Sequence, residues 1–276
     1  MLSRWSFAFL SIILCEISAF ANLSLTPQRI ELNNSNRIQS VLLINEAKEV
    51  VTYRLGFRYQ SMDSSGDLQA VTPEEEKLMK PIEQMVMFSP KQVTLQPNKT
   101  QTVKFTFRNI STATLDEYNA FIVFQELDNS PKIPQLSDQP AEGEVAIKVK
   151  PLFKISIPIF VSNANNTTQS TAEIANLKID KDLNVLTFDV NNTGKYSLTG
   201  RVVAKFFKDK KLLGEFEQKG ITMFNPLKTR QVLMTYDELK FQDSQATSVE
   251  ITYLPPVGKK EYIIGQAKLE LNTVTK

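Results

Sequence analysis

The sequence predicts an all-β protein built from two immunoglobulin-like β-sandwich domains in tandem. Short runs rich in β-branched and aromatic residues recur along most of the chain with partial alternation. Asn, Pro, Ser and Asp separate them as turns. A polar stretch without a large apolar residue, "SNANNTTQSTA" (162–172), divides the runs into two sets. Each set holds about seven strands, the arithmetic of an immunoglobulin-like sandwich. At 276 residues the chain is long for one domain and comfortable for two.

The first residues read as a signal peptide. Arg4 supplies the positive region, "FAFLSIILC" the apolar run, and Ala19-Phe20-Ala21 a small-x-small cleavage site. The expected divisions are therefore a signal peptide at 1–21, a first sandwich at 22–161, a linker at 162–172 and a second sandwich at 173–276. Export with no membrane insertion after cleavage follows, because the apolar run is short and no second one appears. Cys15, the single cysteine, falls inside the removed segment. The mature chain must then stand on its hydrophobic cores rather than on disulfides.

Composition narrows the function. No histidine occurs, which removes Ser-His-Asp chemistry, His-ligated metal sites and the usual general base. Thiolate nucleophiles and thiolate metal sites leave with Cys15. The expectation is a binding protein, not an enzyme, with no cofactor and no metal. A net charge of +2 argues against nucleic acid as the main partner.

The strands of the first set are "LSLTPQRIEL", "SVLLIN", "TYRLGFRYQ", "MVMFSPKQVTL", "QTVKFTFRN" and "NAFIVFQEL", closed by "EVAIKVKPLFKISIPIFV". "TPEEEKLMKPIEQ" (72–84) departs from the pattern and reads equally as a capped short helix or a solvated loop. In "TLDEYNAF", Tyr118 resembles the tyrosine corner of immunoglobulin-like folds, whose hydroxyl ties a loop to the sandwich. The second set runs from "AEIANLKID" to "EYIIGQAKLEL", and its cluster "KFFKDKK" reads as a solvated hairpin tip.

Four stretches of the first domain, in order, carry a resemblance. They are "LSLTPQRIEL" with Arg29, "SVLLINEAKEVVTYRL" with a turn at Asn45, "FSPKQVTLQPNKTQTVKF", and "VKPLFKISIPIFV". Together they resemble the periplasmic chaperones of the chaperone–usher pilus-assembly pathway. The resemblance covers roughly residues 22–161, and the second domain weakly through "VNNTGKYSLTG". It implies a boomerang of two sandwiches with a cleft between them, a periplasmic location, pilus or fimbrial subunits as cargo, and delivery to an outer-membrane usher.

The resemblance also assigns roles. Residues 144–154 would be lent to a subunit that lacks its own last strand, completing its sandwich by strand addition. Val145, Ile147 and Val149 would fill the groove of that subunit, at about 1.5–3 kcal/mol each before association costs. Arg29 and Lys154 would hold its C-terminal carboxylate in the cleft, with Lys150 a nearby rival for the second place. Pro151 interrupts the strand between these uses, since it has no N–H to give a ladder. Without the resemblance, the three apolar residues read as ordinary core and the two cations as solvated surface. The competing function is a secreted two-domain structural or adhesive surface protein.

Overall fold

The computed structural model describes residues 23–108, 114–128, 151–162, 170–237 and 246–271. The signal-peptide segment, Val145, Ile147, Val149 and Lys150 lie outside them. The first part of the chain forms β1 (Leu23–Thr26), β2 (Ile30–Leu32), β3 (Ile38–Asn45), β4 (Val51–Arg58), β5 (Gln60–Met62) and β6 (Leu68–Ala70). Two short helices follow, α1 (Pro73–Met79) and α2 (Ile82–Met85). Then come β7 (Val86–Ser89), β8 (Gln92–Leu95), β9 (Thr100–Phe107), β10 (Glu117–Glu126) and β11 (Lys154–Ser162).

Two sheets face each other, ordered β1-β3-β9-β7 and β2-β11-β10-β4-β8. The side-chain period of two decides which residues meet between them. Val103, Phe105 and Phe107 point inward from β9; Tyr53 and Leu55 from β4; Ile157, Ile159 and Val161 from β11. The opening strand serves both sheets. β1 pairs with β3, the chain turns at Pro27–Arg29, and β2 then pairs parallel to β11 in the opposite sheet.

The segment 72–84 is helical apart from a turn at 80–81, and the cap of α1 shows why the helix starts where it does. Glu75 N–H donates to Thr72 Oγ1 (3.2 Å) and Thr72 N–H donates to Glu75 Oε2 (2.8 Å), with Pro73 at the first helical position. Asn45 is fully buried and closes the β3–β4 turn, its amide donating to the Glu49 and Leu95 carbonyls while Ala47 N–H donates to its Oδ1. Tyr118, also buried, accepts at its hydroxyl from the N–H groups of Thr114 (2.8 Å) and Leu115 (3.2 Å). Tyr118→Phe removes the only described acceptor of both amides, so unfolding is expected to become easier by about 1–3 kcal/mol. A thermal or denaturant melt of the variant checks this; an unchanged midpoint would show the hydroxyl to be dispensable.

The second sandwich comprises β12 (Ala172–Asp180), β13 (Val185–Asn192), β14 (Leu198–Lys208), β15 (Lys211–Met223), β16 (Thr229–Thr235), β17 (Ser248–Leu254) and β18 (Gly265–Glu270). Its sheets are β12-β13-β16 and β15-β14-β17-β18. Phe188, Phe206, Val249, Ile251 and Tyr253 form its core. Asn192 repeats the role of Asn45, accepting from Gly194 N–H and donating to the Tyr196 carbonyl. "KFFKDKK" forms the β14–β15 hairpin end, where Lys208 to Lys211 are exposed.

The two cores meet through a third, small one. Phe121 and Phe160, on the outer face of the first domain's second sheet, pack against Phe224 of the second domain, with Met62 beside them. Ring centroids lie 5.7 Å and 5.2 Å from Phe224. The β5–β6 hairpin straps the junction. Gln231 N–H donates to the Ser64 carbonyl (2.7 Å), and Gly66 lies against the guanidinium of Arg230. Arg230 in turn donates to the Thr222 carbonyl. Burial depresses the Arg230 pKa, opposed by Tyr253, Asp67 and Asp63. Gly66 has φ +94°, a backbone conformation that favours glycine, and a Cβ there would push the guanidinium end of Arg230 aside.

Candidate functional site

Residues alternate along β11, and the alternation separates its uses. Ile155, Ile157, Ile159 and Val161 face the first core, whereas Lys154, Ser156, Pro158 and Phe160 face outward. Backbone groups alternate as well. Glu126 N–H donates to the Phe153 carbonyl (2.9 Å), which directs the N–H and C=O groups of odd-numbered residues toward β10. Those of Lys154, Ser156, Pro158 and Phe160 therefore point the other way, Pro158 offering its carbonyl alone. β2 covers that outer edge only at Ile159–Val161. Among the described residues no strand covers it at 154–158. A groove of about 460 Å³ runs beside this open stretch, lined by Leu23, Leu25, Gln28, Ile155, Ser156 and Ile157.

Arg29 stands where the open edge ends. It immediately precedes Ile30, whose register partner is Ile159, so continuing that register would set it beside Pro158. The guanidinium carbon lies 3.8 Å from the centroid of the Phe160 ring. Nη1 donates to Thr199 Oγ1 of the second sandwich (2.7 Å), and Nε donates to Glu31 Oε1 (2.5 Å). Arg29 is thus wedged in the corner between domains, with its fork partly engaged. Lys259 also reaches Glu31, at 3.9 Å. Glu31 is the residue sequence reasoning missed here. Two positions after Arg29 in a run that reads as extended, it falls on the same side by the period of two, and that signal was available.

Lys154 opens β11 on the same outward face, opposite Gln125, with its side chain exposed. Four register positions separate it from Arg29, roughly 13 Å along the strand at 3.3 Å per residue. The two cations therefore flank the open edge, one at each end, and do not touch. Pro151 lies in the irregular approach to β11, and strand pairing begins only after it.

The corner is sealed by polar contacts across the domains. Glu117 accepts from the Ser197 hydroxyl and N–H, Asn119 donates to the Asn225 carbonyl (2.9 Å), and Lys195 pairs with Asp116 (3.5 Å). Burial pushes the Glu117 carboxyl pKa up; the Ser197 hydrogen bonds and Arg29 oppose this, and Glu31 adds to it. A carboxyl raised on folding favours the folded seam most below the ordinary carboxylate range and least once pH exceeds its folded value. Glu117→Gln keeps an acceptor for Ser197 without the charge. It is expected to raise the melting temperature at pH 8 and leave it nearly unchanged at pH 4; an equal shift at both would refute the charged-seam account.

Among the described residues, no group of three or more His, Cys, Asp or Glu side chains is placed to hold a metal ion. No helix among them is long and apolar enough to cross a membrane.

No family model and no curated protein matches the sequence. The chain is similar to several solved structures. One is the YadV chaperone, at 11% identity over 91% of this chain and 100% of that chain, with a TM-score of 0.47. Another is the CupB2 chaperone of Pseudomonas aeruginosa, at 12% identity over 90% of this chain and 98% of that one, with a TM-score of 0.42. A third is the SafA pilin–SafB chaperone complex of Salmonella enterica, at 8% identity over 91% and 97%, with a TM-score of 0.42.

Proposed function

We propose that the protein is a periplasmic chaperone that binds, folds and caps pilus or fimbrial subunits by strand addition and delivers them to an outer-membrane usher. One observation carries this reading: among the described residues no strand covers the outer edge of β11 from Lys154 to Pro158, and that edge runs into a corner occupied by Arg29. An open ladder edge gives sequence-tolerant main-chain bonds, and a cation at its end suits a chain terminus. The groove between Leu23, Leu25, Ile155 and Ile157 offers apolar surface on the core side of an added strand.

In this reading Arg29 seats the terminal carboxylate of the cargo and Lys154 adds charge at the far end of the edge. Val145, Ile147 and Val149, earlier in the same stretch of sequence, fill the cargo's groove. The carboxylate sets register, because a one-residue slip would turn those side chains to the wrong face. Exposed apolar groove and unpaired edge are what make an incomplete sandwich aggregate, so covering both is the chaperone's work.

The test is co-expression with a fimbrial subunit encoded beside the gene. A soluble one-to-one complex on size exclusion is expected. A subunit that stays insoluble with and without the chain would overturn the reading.

A further inference from the structure

The outward face of sheet β2-β11-β10-β4-β8 carries a pattern that strand addition does not use. Cross-strand register sets two rows on it. One row reads Arg29, Pro158, Phe121, Arg58; the other reads Lys154, Gln125, Arg54, Gln92. Four cations thus frame a patch roughly 13 Å along the strands and 10–14 Å across them, at 3.3 Å per residue and about 4.8 Å per strand. Between the rows lie Ser156, Val123 and Gly56. A Cβ added at Gly56 would meet nothing within 4 Å, so crowding does not require glycine; its absence keeps the floor low.

Arg54, Arg58 and Lys154 are exposed, and none has an ion-pair partner among the described residues. Among the described residues, the two carboxylates on this face, Glu31 and Glu117, are both engaged in the inter-domain corner. Among the described residues, the second sandwich meets this face at that corner end, through Phe224, Thr199 and Asn225. Unopposed like charges on a flat sheet face favour an anionic partner and disfavour a cationic one.

We infer, resting on the chaperone reading above, that this face is a docking surface for an acidic polypeptide, the segment of the cargo that lies over the sheet when its end occupies the Arg29 corner. The cargo is thereby selected by charge at Arg54, Arg58 and Lys154 as well as by its open groove.

Fluorescence anisotropy with three synthetic peptides of about 12 residues, long enough to cross the patch at roughly 3.3 Å per residue, tests this. One alternates Val and Glu and ends in a free carboxylate; the second replaces Glu with Lys; the third is the Glu peptide with an amidated end. At low salt the Glu peptide should bind about tenfold more tightly than the Lys peptide, and the gap should close as salt rises. Arg54→Gln/Arg58→Gln should cut the gap to about threefold or less, with an unchanged melting temperature because both side chains are exposed. Equal binding of the two peptides, or a gap the double variant leaves intact, would overturn the docking surface. If amidation weakens binding in that case, the carboxylate corner stands alone. If amidation changes nothing while the gap behaves as expected, the corner fails and the docking surface stands. Binding of none of the peptides would overturn both.

Discussion

Arg29→Ala is expected to abolish recovery of a soluble one-to-one complex with a cognate fimbrial partner. A guanidinium fork on a carboxylate makes two charge-assisted bonds of about 1.5–3 kcal/mol each, so their loss weakens binding roughly a hundredfold or more. The structure adds a complication with its own test. Arg29 also bonds Thr199 and Glu31 and stacks on Phe160, so alanine loosens the domain corner as well. Glu31→Gln separates the two effects. It leaves Arg29 in place, removes the carboxylate that competes for Nε, and should tighten cargo binding by a few-fold. Titration of a peptide carrying the cargo's last residues against both variants checks this. Weaker binding in Glu31→Gln would mean that Glu31 positions Arg29 rather than competing with the cargo.

Gly66→Val is expected to detach the β5–β6 strap. A β-branched residue at φ +94° costs about 1–3 kcal/mol in backbone strain, before its Cβ displaces the guanidinium of Arg230. Both sandwich cores should survive, because each is closed by its own strands. The readout is therefore the distance between domains, by small-angle scattering or a dye pair with one label on each sandwich. A broader distribution is expected, together with weaker cargo binding. Arg230→Ala should broaden it similarly. In the Arg230→Ala background Gly66→Val should cost only the backbone strain, a non-additivity that a double-mutant cycle reads directly. Unchanged inter-domain distances in both single variants would show the strap to be ornamental.

Much of the fold was legible because strands announce themselves locally. The alternation in "QTVKFTF" fixed which residues of β9 face inward. The helix at 72–84 was undecided because three glutamates suit a solvated loop as well as a first turn. The Thr72–Glu75 capping box, a pattern of two residues three apart, tips that balance. The inter-domain features were not legible. Phe121 and Phe160 sit at outward positions of their strands, and the partner that explains them both, Phe224, lies 64 to 103 positions away in sequence. Gly66 and Arg230 meet across a still longer separation. Of the candidate site, Arg29 and Lys154 are named through the resemblance as a pair on one carboxylate, whereas the structure sets them at opposite ends of one open edge. That depends on where β2 joins β11, and pairing register between distant strands leaves no local trace.

The crossing of the opening strand from one sheet to the other acts as a ruler. The chain leaves β3 at Thr26, spends Pro27–Arg29 in transit, and reaches β11 only at Ile159. Every residue by which that transit shortens would let β2 zip further along β11 and close one more rung of the edge. In the chaperone reading, the length of ladder left for another protein is thus set in a three-residue turn. Chains with longer or shorter crossings should differ in how many rungs they can lend, and so in how firmly they hold a client before giving it up.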